Sequence, residues 1–185
     1  MTITYFKRYK MQIGLPSMPD FAPRDYDGYQ FLPWSSSLLK EHAEAKFESF
    51  RSELDSHVFP CLGKLDGCLR LMTEISYRTG FVPEATWLVV HGTEFHGRDD
   101  NCGTVQGIRE DENTGSIQNL GIVPSHRGNG VGSELLRRSL VGFKSVGLQK
   151  VSLEVTAHNE SAIKLYQRIG FEISQIVYKN SDLIS

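Results

Sequence analysis

The chain has 185 residues, of which 39% are hydrophobic and 23% charged, with no low-complexity tract, so it reads as one globular domain with a sizeable core. A formal net charge of −2 and the lack of any lysine/arginine cluster exclude a phosphate-tracking nucleic-acid binder. No apolar run approaches the ~20 residues that span a bilayer.

Residues 5–15, YFKRYKMQIGL, place Tyr5, Tyr9, Met11, Ile13 and Leu15 on one parity and Arg8, Lys10 and Gln12 on the other, which predicts a half-buried strand. The proline-rich stretch LPSMPDFAPRDYDG is a connector, and GYQFLPW (28–34) is a second strand. Ser35, Ser36 and Ser37 supply N-caps for a helix carrying Leu39, Ala43, Phe47, Phe50 and Leu54 at helical spacing. Leu65, Leu69, Met72 and Ile75 form the stripe of a second helix, with Gly80 just past its end and Pro83 beyond. ATWLVV (85–90), CGTVQGI (102–108) and SIQNLGIV (116–123) read as strands, the last two joined by the hairpin turn REDENTG. A polar link, 91–101, separates the first two. A helix at 130–146, a strand KVSLEV (150–155), a helix at 160–169 and a strand FEISQIVY (171–178) complete a mixed α/β layered domain.

HRGNGVGSELL (126–136) holds three glycines where a helix must begin. A strand-to-helix turn aims the unpaired N–H groups of the first helical turn outward, and glycines let that backbone approach a bulky anion. The turn therefore predicts a phosphate or pyrophosphate cradle. It lacks the GK[ST] of a Walker loop. Gly128, Gly130 and Gly132 are followed by Ser133, and no acidic residue closes a following strand about twenty residues on, as a dinucleotide fingerprint requires. A tight turn without a ligand is the plain alternative.

LGIVPSHRGNGVGSELL resembles the acetyl-CoA-binding motif [QR]-x-x-G-x-[GA] of the GNAT superfamily of N-acyltransferases, with Arg127, Gly130 and Gly132 at its fixed positions. LEVTAHNESAIKLYQRIGF, beginning 26 residues after Arg127, is similar to that family's L-x-V…N-x-x-A-x-x-L-Y-x-x-x-G-F segment. The likeness is specific over 116–173 and extends back to about residue 28. It implies a single domain over 1–185: a family core at 28–178, built as a twisted, mostly antiparallel sheet flanked by helices, preceded by an extra N-terminal strand and connector at 1–27. Family members usually end with two strands after the last helix. Here only FEISQIVY is long enough, so the 5–15 strand is expected to take the missing place, from the same subunit or from a partner in a homodimer.

The resemblance implies that the CoA pyrophosphate lies on the backbone of Arg127, Gly128, Asn129, Gly130, Val131, Gly132 and Ser133. The pantetheine arm would pair with Leu120, Ile122 and Val123 and accept a hydrogen bond from Asn159, which is also placed to cap the last helix. A backbone N–H around Leu120–Ile122 would hold the oxyanion. Gly121 suits either a bulge or plain packing.

Acetyl transfer to an amine needs the amine neutral. At pH 7 that costs roughly 4.6 kcal/mol for a lysine-type amine and about 1.4 kcal/mol for an α-amine. Glu154 alternates with Val151, Leu153 and Val155 and puts a carboxylate into a central strand; a salt bridge is the plain reading, and the resemblance implies a general base acting through water. Tyr166 matches the family's acid beside the sulfur. A phenol near pKa 10 facing a thiol near 8.5 runs uphill by about 2 kcal/mol, so it acts chiefly as a hydrogen-bond donor. The expected activity is N-acetylation of a small-molecule or peptide amine; the alternative is a non-catalytic CoA-binding domain of the same fold. Cys61, Cys68 and Cys102 lack CxxC spacing, and MTITYFKRYK has no apolar h-region, so the chain reads as cytoplasmic. His91, Glu94 and His96 lack metal-site spacing. Phe31, Trp34 and Trp87 read as core side chains before acceptor-pocket ones.

Overall fold

The computed structural model describes residues 4–92 and 100–180. Seven strands form one sheet in the order β2-β3-β4-β5-β6-β1-β7. They are β1 (Tyr5–Gly14), β2 (Tyr29–Pro33), β3 (Phe81–His91), β4 (Asp100–Arg109), β5 (Thr114–Ile122), β6 (Lys150–Thr156) and β7 (Glu172–Asn180). The helices are α1 (Leu39–Phe50), α2 (Asp55–Val58), α3 (Leu65–Tyr77), α4 (Val131–Ser145) and α5 (Glu160–Ile169), with short 3₁₀ turns at Ser36–Leu38, Pro60–Gly63 and Pro124–His126. Among the described residues no helix is long and apolar enough to cross a membrane.

β1 lies between β6 and β7 and pairs antiparallel with both, from Arg8 opposite Thr156 to Gly14 opposite Lys150, and from Tyr5 opposite Asn180 to Gln12 opposite Glu172. The N-terminal strand thus takes its place in the sheet between β6 and β7 of the same chain. Its parity differs from a simple half-buried strand. Met11 and Ile13 enter the core as expected, but Arg8 on the polar face is also only 5% exposed.

β5 and β6 run parallel but pair only over Thr114–Ser116 and Lys150–Ser152. Beyond Ser116 they separate. β5 also slips register against β4 between Thr104 and Gln106, and Asn119 in that slip has a φ of 48°, the one non-glycine left-handed residue among those described. The bulge lies here, two residues before Gly121. A Cβ at Gly121 would meet Phe50 and Ser49 at 2.7–2.8 Å, so that glycine serves the close packing of α1.

α4 buries Leu135, Leu136, Leu140 and Phe143 against the sheet, and α5 adds Tyr166 and Ile169 to the same core. α1 and α3 cover the opposite face. Leu39, Ala43, Phe47 and Phe50 of α1 pack with Leu62, Cys68 and Met72, as the apolar spacing predicts. The sheet-facing side of α1 is polar: His42, Lys46 and Ser49 are fully or almost fully buried. Lys46 Nζ donates to Gln106 Oε1 (2.5 Å) and Asn119 Oδ1 (2.9 Å), Gln106 Nε2 donates to Thr104 Oγ1, and Thr104 faces His42 Nδ1 at 2.7 Å. One hydrogen-bond chain therefore links the ammonium to the imidazole, and Lys46 anchors the bulge residue Asn119 to α1. Burial, helped by Lys46, pushes His42 down to about 3, and burial pushes Lys46 down to about 7. Phe31 and Trp87 pack on the main core with Arg138 against both rings, and Trp34 packs on the α1–α3 cluster, so all three are core side chains.

Candidate active site

The separation of β5 from β6 opens a V-shaped cleft, and the glycine turn closes one end of it. Gly130, with φ 79°, is the N-cap of α4 and makes no side-chain cap. The N–H groups of Gly128, Val131, Gly132 and Ser133 find no acceptor among the described residues. A cavity of about 450 Å³ lies in front of them, lined also by Leu120, Ile122, Asn159 and Tyr166. A Cβ at Gly128 would meet open space, whereas one at Gly130 would come within 3.0 Å of Tyr26. Exposed donors, a helix N-terminus and bare backbone suit a diphosphate.

Arg127 has a different task from its neighbours. Its own N–H donates to Pro124 O (3.3 Å), and its guanidinium turns back to Ile122 O (2.9 Å), Ser49 O (3.1 Å) and Glu53 (2.8 Å). It clamps the turn to β5 and to the end of α1. Val123 and Asn129 lie outside the cleft lining. The Val123 N–H is used by Cys102 O on the β4 side (2.8 Å), and the Asn129 side chain bonds His126 O and the Tyr29 hydroxyl. Alternation along β5 then leaves the backbone of Leu120 and Ile122 facing the cleft.

α5 carries the other half. Asn159 Oδ1 accepts from the Ala162 N–H (3.2 Å) and caps the helix, and the residue lines the cleft as well. Gly170, with φ 115°, ends the helix by donating to Tyr166 O and Gln167 O, while Phe171 N–H also donates to Tyr166 O. Two caps fix a ten-residue helix, and Tyr166 hangs from it at the middle of the cleft, 7% exposed. Its hydroxyl makes no hydrogen bond among the described residues. Burial, reinforced by Asp55, pushes the phenol well above its usual range.

Beyond Tyr166 a second cavity, of about 310 Å³, continues the cleft. Phe50, Asp55, Leu120, Asn159, Ala162 and Tyr166 line both. Glu154 faces this second cavity. Its Oε2 lies 3.0 Å from Lys179 Nζ and 3.5 Å from Arg8 Nε, so the salt-bridge reading of this carboxylate is seen directly. Asp55 stands beside it, holding Arg8 (3.3 Å) and the Thr156 hydroxyl (3.2 Å). Arg8, Lys10, Asp55 and Lys179 were not singled out as site residues from sequence. They come from β1, α2 and β7, and only the closed sheet brings them together. Of the histidine group, His91 packs beside Tyr29 and His126; Glu94 and His96 lie outside the described residues. So does most of the 91–101 link.

Residues 34–171 match the Acetyltransferase (GNAT) family. This chain belongs to it. A mycothiol acetyltransferase of Corynebacterium aurimucosum is 29% identical over 177 residues, 87% of this chain and 55% of that protein. N-alpha-acetyltransferase 30 of Schizosaccharomyces pombe is 40% identical over 57 residues, 31% of this chain and 38% of that protein. A GCN5-related N-acetyltransferase from Sphaerobacter thermophilus has the same fold at a TM-score of 0.68 and 22% identity, over 96% of this chain and 51% of that one. The chain spans between 25% and 55% of the length of its first curated relatives. The glycine turn, the cavity in front of it and the last helix fall inside the matched residues, whereas Arg8, Lys10 and Lys179 of the second cavity fall outside them.

Proposed function

We propose that this GNAT chain transfers an acetyl group from acetyl-CoA to a primary amine by direct attack in a ternary complex. The observation that carries the proposal is the continuous cleft. One end presents unpartnered N–H groups, the other presents charged side chains, and Tyr166 stands where the two cavities meet. The turn from Gly128 to Ser133 holds the diphosphate, Leu120 and Ile122 offer backbone to the pantetheine arm, and Asn159 adds a side-chain donor. Bound acetyl-CoA supplies an acyl group already activated as a thioester.

The chain's own groups supply the rest. Tyr166 remains protonated at neutral pH because burial raises its pKa, so it offers a hydrogen bond to the departing sulfur. Full proton transfer to a thiolate near 8.5 would run uphill by more than about 2 kcal/mol. Glu154 keeps lone pairs beyond its contacts to Lys179 and Arg8, and these accept the amine proton through water. A backbone N–H of Leu120–Ile122 holds the oxyanion. Acceptors of two classes come from the relatives' names, a small-molecule amine and a protein N-terminus; the α-amine needs the lesser help from the base.

Acetylation of an amine panel, followed by thiol release, tests the reading. Tyr166→Phe and Glu154→Gln each lower kcat by roughly 10²-fold, the scale of a single acid–base or oxyanion donor, while the Kd for CoA holds within about twofold. Tight CoA binding with no acetylation of any amine would instead establish a non-catalytic CoA-binding domain.

A further inference from the structure

The cavity beyond Tyr166 is lined by three cations, Arg8, Lys10 and Lys179, and three acids, Asp55, Glu110 and Glu154, and not all of them are paired. Arg8 is matched by Asp55 at 3.3 Å, and Glu154 is matched by Lys179 at 3.0 Å. Lys10 is left over. It stands directly opposite Glu154 in the β1–β6 register, is half-buried and lines the cavity, yet forms no ion pair among the described residues. Glu110 also lines the cavity without an ion pair, but it is exposed on the β4–β5 hairpin, where water solvates it. The second observation is Arg8 itself. Its residue is 5% exposed, it lines the same cavity, and its Nε is buried without a hydrogen-bond acceptor; Glu154 approaches only to 3.5 Å. The rest of the guanidinium is held by Asp55, the Thr156 hydroxyl and Glu154 O, which fixes its charge at the cavity wall beside Lys10, where it favours an anion.

We infer that the acceptor carries a carboxylate a few bonds from its amine, and that Lys10 and Arg8 of β1 form the subsite for that carboxylate. The inference rests on the acetyl-transfer reading and deepens it. Arg8 and Lys10 are two residues apart on one strand face, and Lys10 lies about 5 Å from Glu154 across the ladder. An amine held between Glu154 and Tyr166 therefore has its carboxylate partner within the span of an amino acid. Free amino acids and peptides whose first residue is acidic share this chemistry. The N-terminal strand, beyond completing the sheet, then selects the substrate.

The test compares kcat/KM for amino acids, for their carboxamides and for short peptides starting with Asp or Gly. Wild type favours the acid over the carboxamide by about tenfold or more, the scale of one charge-assisted hydrogen bond. Lys10→Gln brings that ratio close to one, and Lys10→Glu inverts it. A preference for the Asp peptide over the Gly peptide assigns the carboxylate to a peptide side chain; a preference confined to free amino acids assigns it to the α-carboxylate. Calorimetric titration of the same pairs into CoA-saturated protein separates the two levels of the reading. Turnover without acid selectivity overturns the subsite and leaves acetyl transfer standing. Acid-selective binding without turnover overturns acetyl transfer and leaves the subsite standing. Absence of both turnover and acid-selective binding overturns the subsite.

Discussion

Replacing Lys46 by methionine keeps an unbranched side chain one atom shorter and removes a fully buried ammonium. Lys46 titrates near 7 in the folded chain against 10.5 in the open one. Between those values the unfolded chain binds more protons, so stability rises with pH by up to 1.36 kcal/mol per unit, and roughly 2 kcal/mol is gained between pH 7 and pH 9. Below pH 7 both forms are charged and the gain vanishes. The variant lacks the titrating group, so its stability rises by about 2 kcal/mol less over the same interval. It also leaves Gln106 Oε1 and Asn119 Oδ1 without their donor, an offset of about 1–3 kcal/mol per group that is common to both pH values. Urea unfolding of both proteins at pH 7 and pH 9 reads the difference in slope. The upper limit matters because the Cys68 thiol, pushed up to about 11 mainly by burial, adds an opposing dependence above pH 9. Equal pH dependence in the two proteins, within about 0.5 kcal/mol, would refute the assignment of a titrating lysine to the core.

Other consequences are more direct. His42 is held near 3 in the fold and titrates at 6.5 when exposed, so its contribution is present above pH 6.5 and falls away with acid; His42→Phe flattens a loss of roughly 2 kcal/mol between pH 7 and pH 5 in the same urea assay. Gly142→Ala drives a Cβ into the carbonyl of Glu84 where α4 crosses β3, and thermal unfolding reports a loss of at least about 1–3 kcal/mol. Deleting residues 1–16 strips the pairing partner from both β6 and β7 and yields insoluble or unfolded protein by circular dichroism; a fully stable product would contradict the topology.

The legible part of this protein was local. The turn at 126–133 and the capped helix from Asn159 to Gly170 depend on backbone conformations that particular residue types impose within a few positions, so their chemistry shows in the string. Strand 5–15 was legible from its alternation, and its place between β6 and β7 became visible only in the sheet. α1 hid its second buried side, because His42 and Lys46 look like a solvated stripe until Thr104, Gln106 and Asn119 arrive from 60 or more residues away to receive them. The charged cavity was hidden for the same reason. Arg8 and Thr156 touch at 2.8 Å across 148 positions of sequence, a proximity that no periodicity encodes.

Tyr5 and Asn180 are ladder partners on adjacent antiparallel strands, so residues far apart in sequence are neighbours in space. A two-residue turn joining them would convert β7 and β1 into an ordinary hairpin, and opening the exposed connector near Ala22 and Pro23 would release new ends. The chain path is thus one that a turn between β7 and β1 would close. Because β1 precedes both partners in the chain, the ribosome must deliver β6 before β1 finds its first neighbour and β7 before it finds its second.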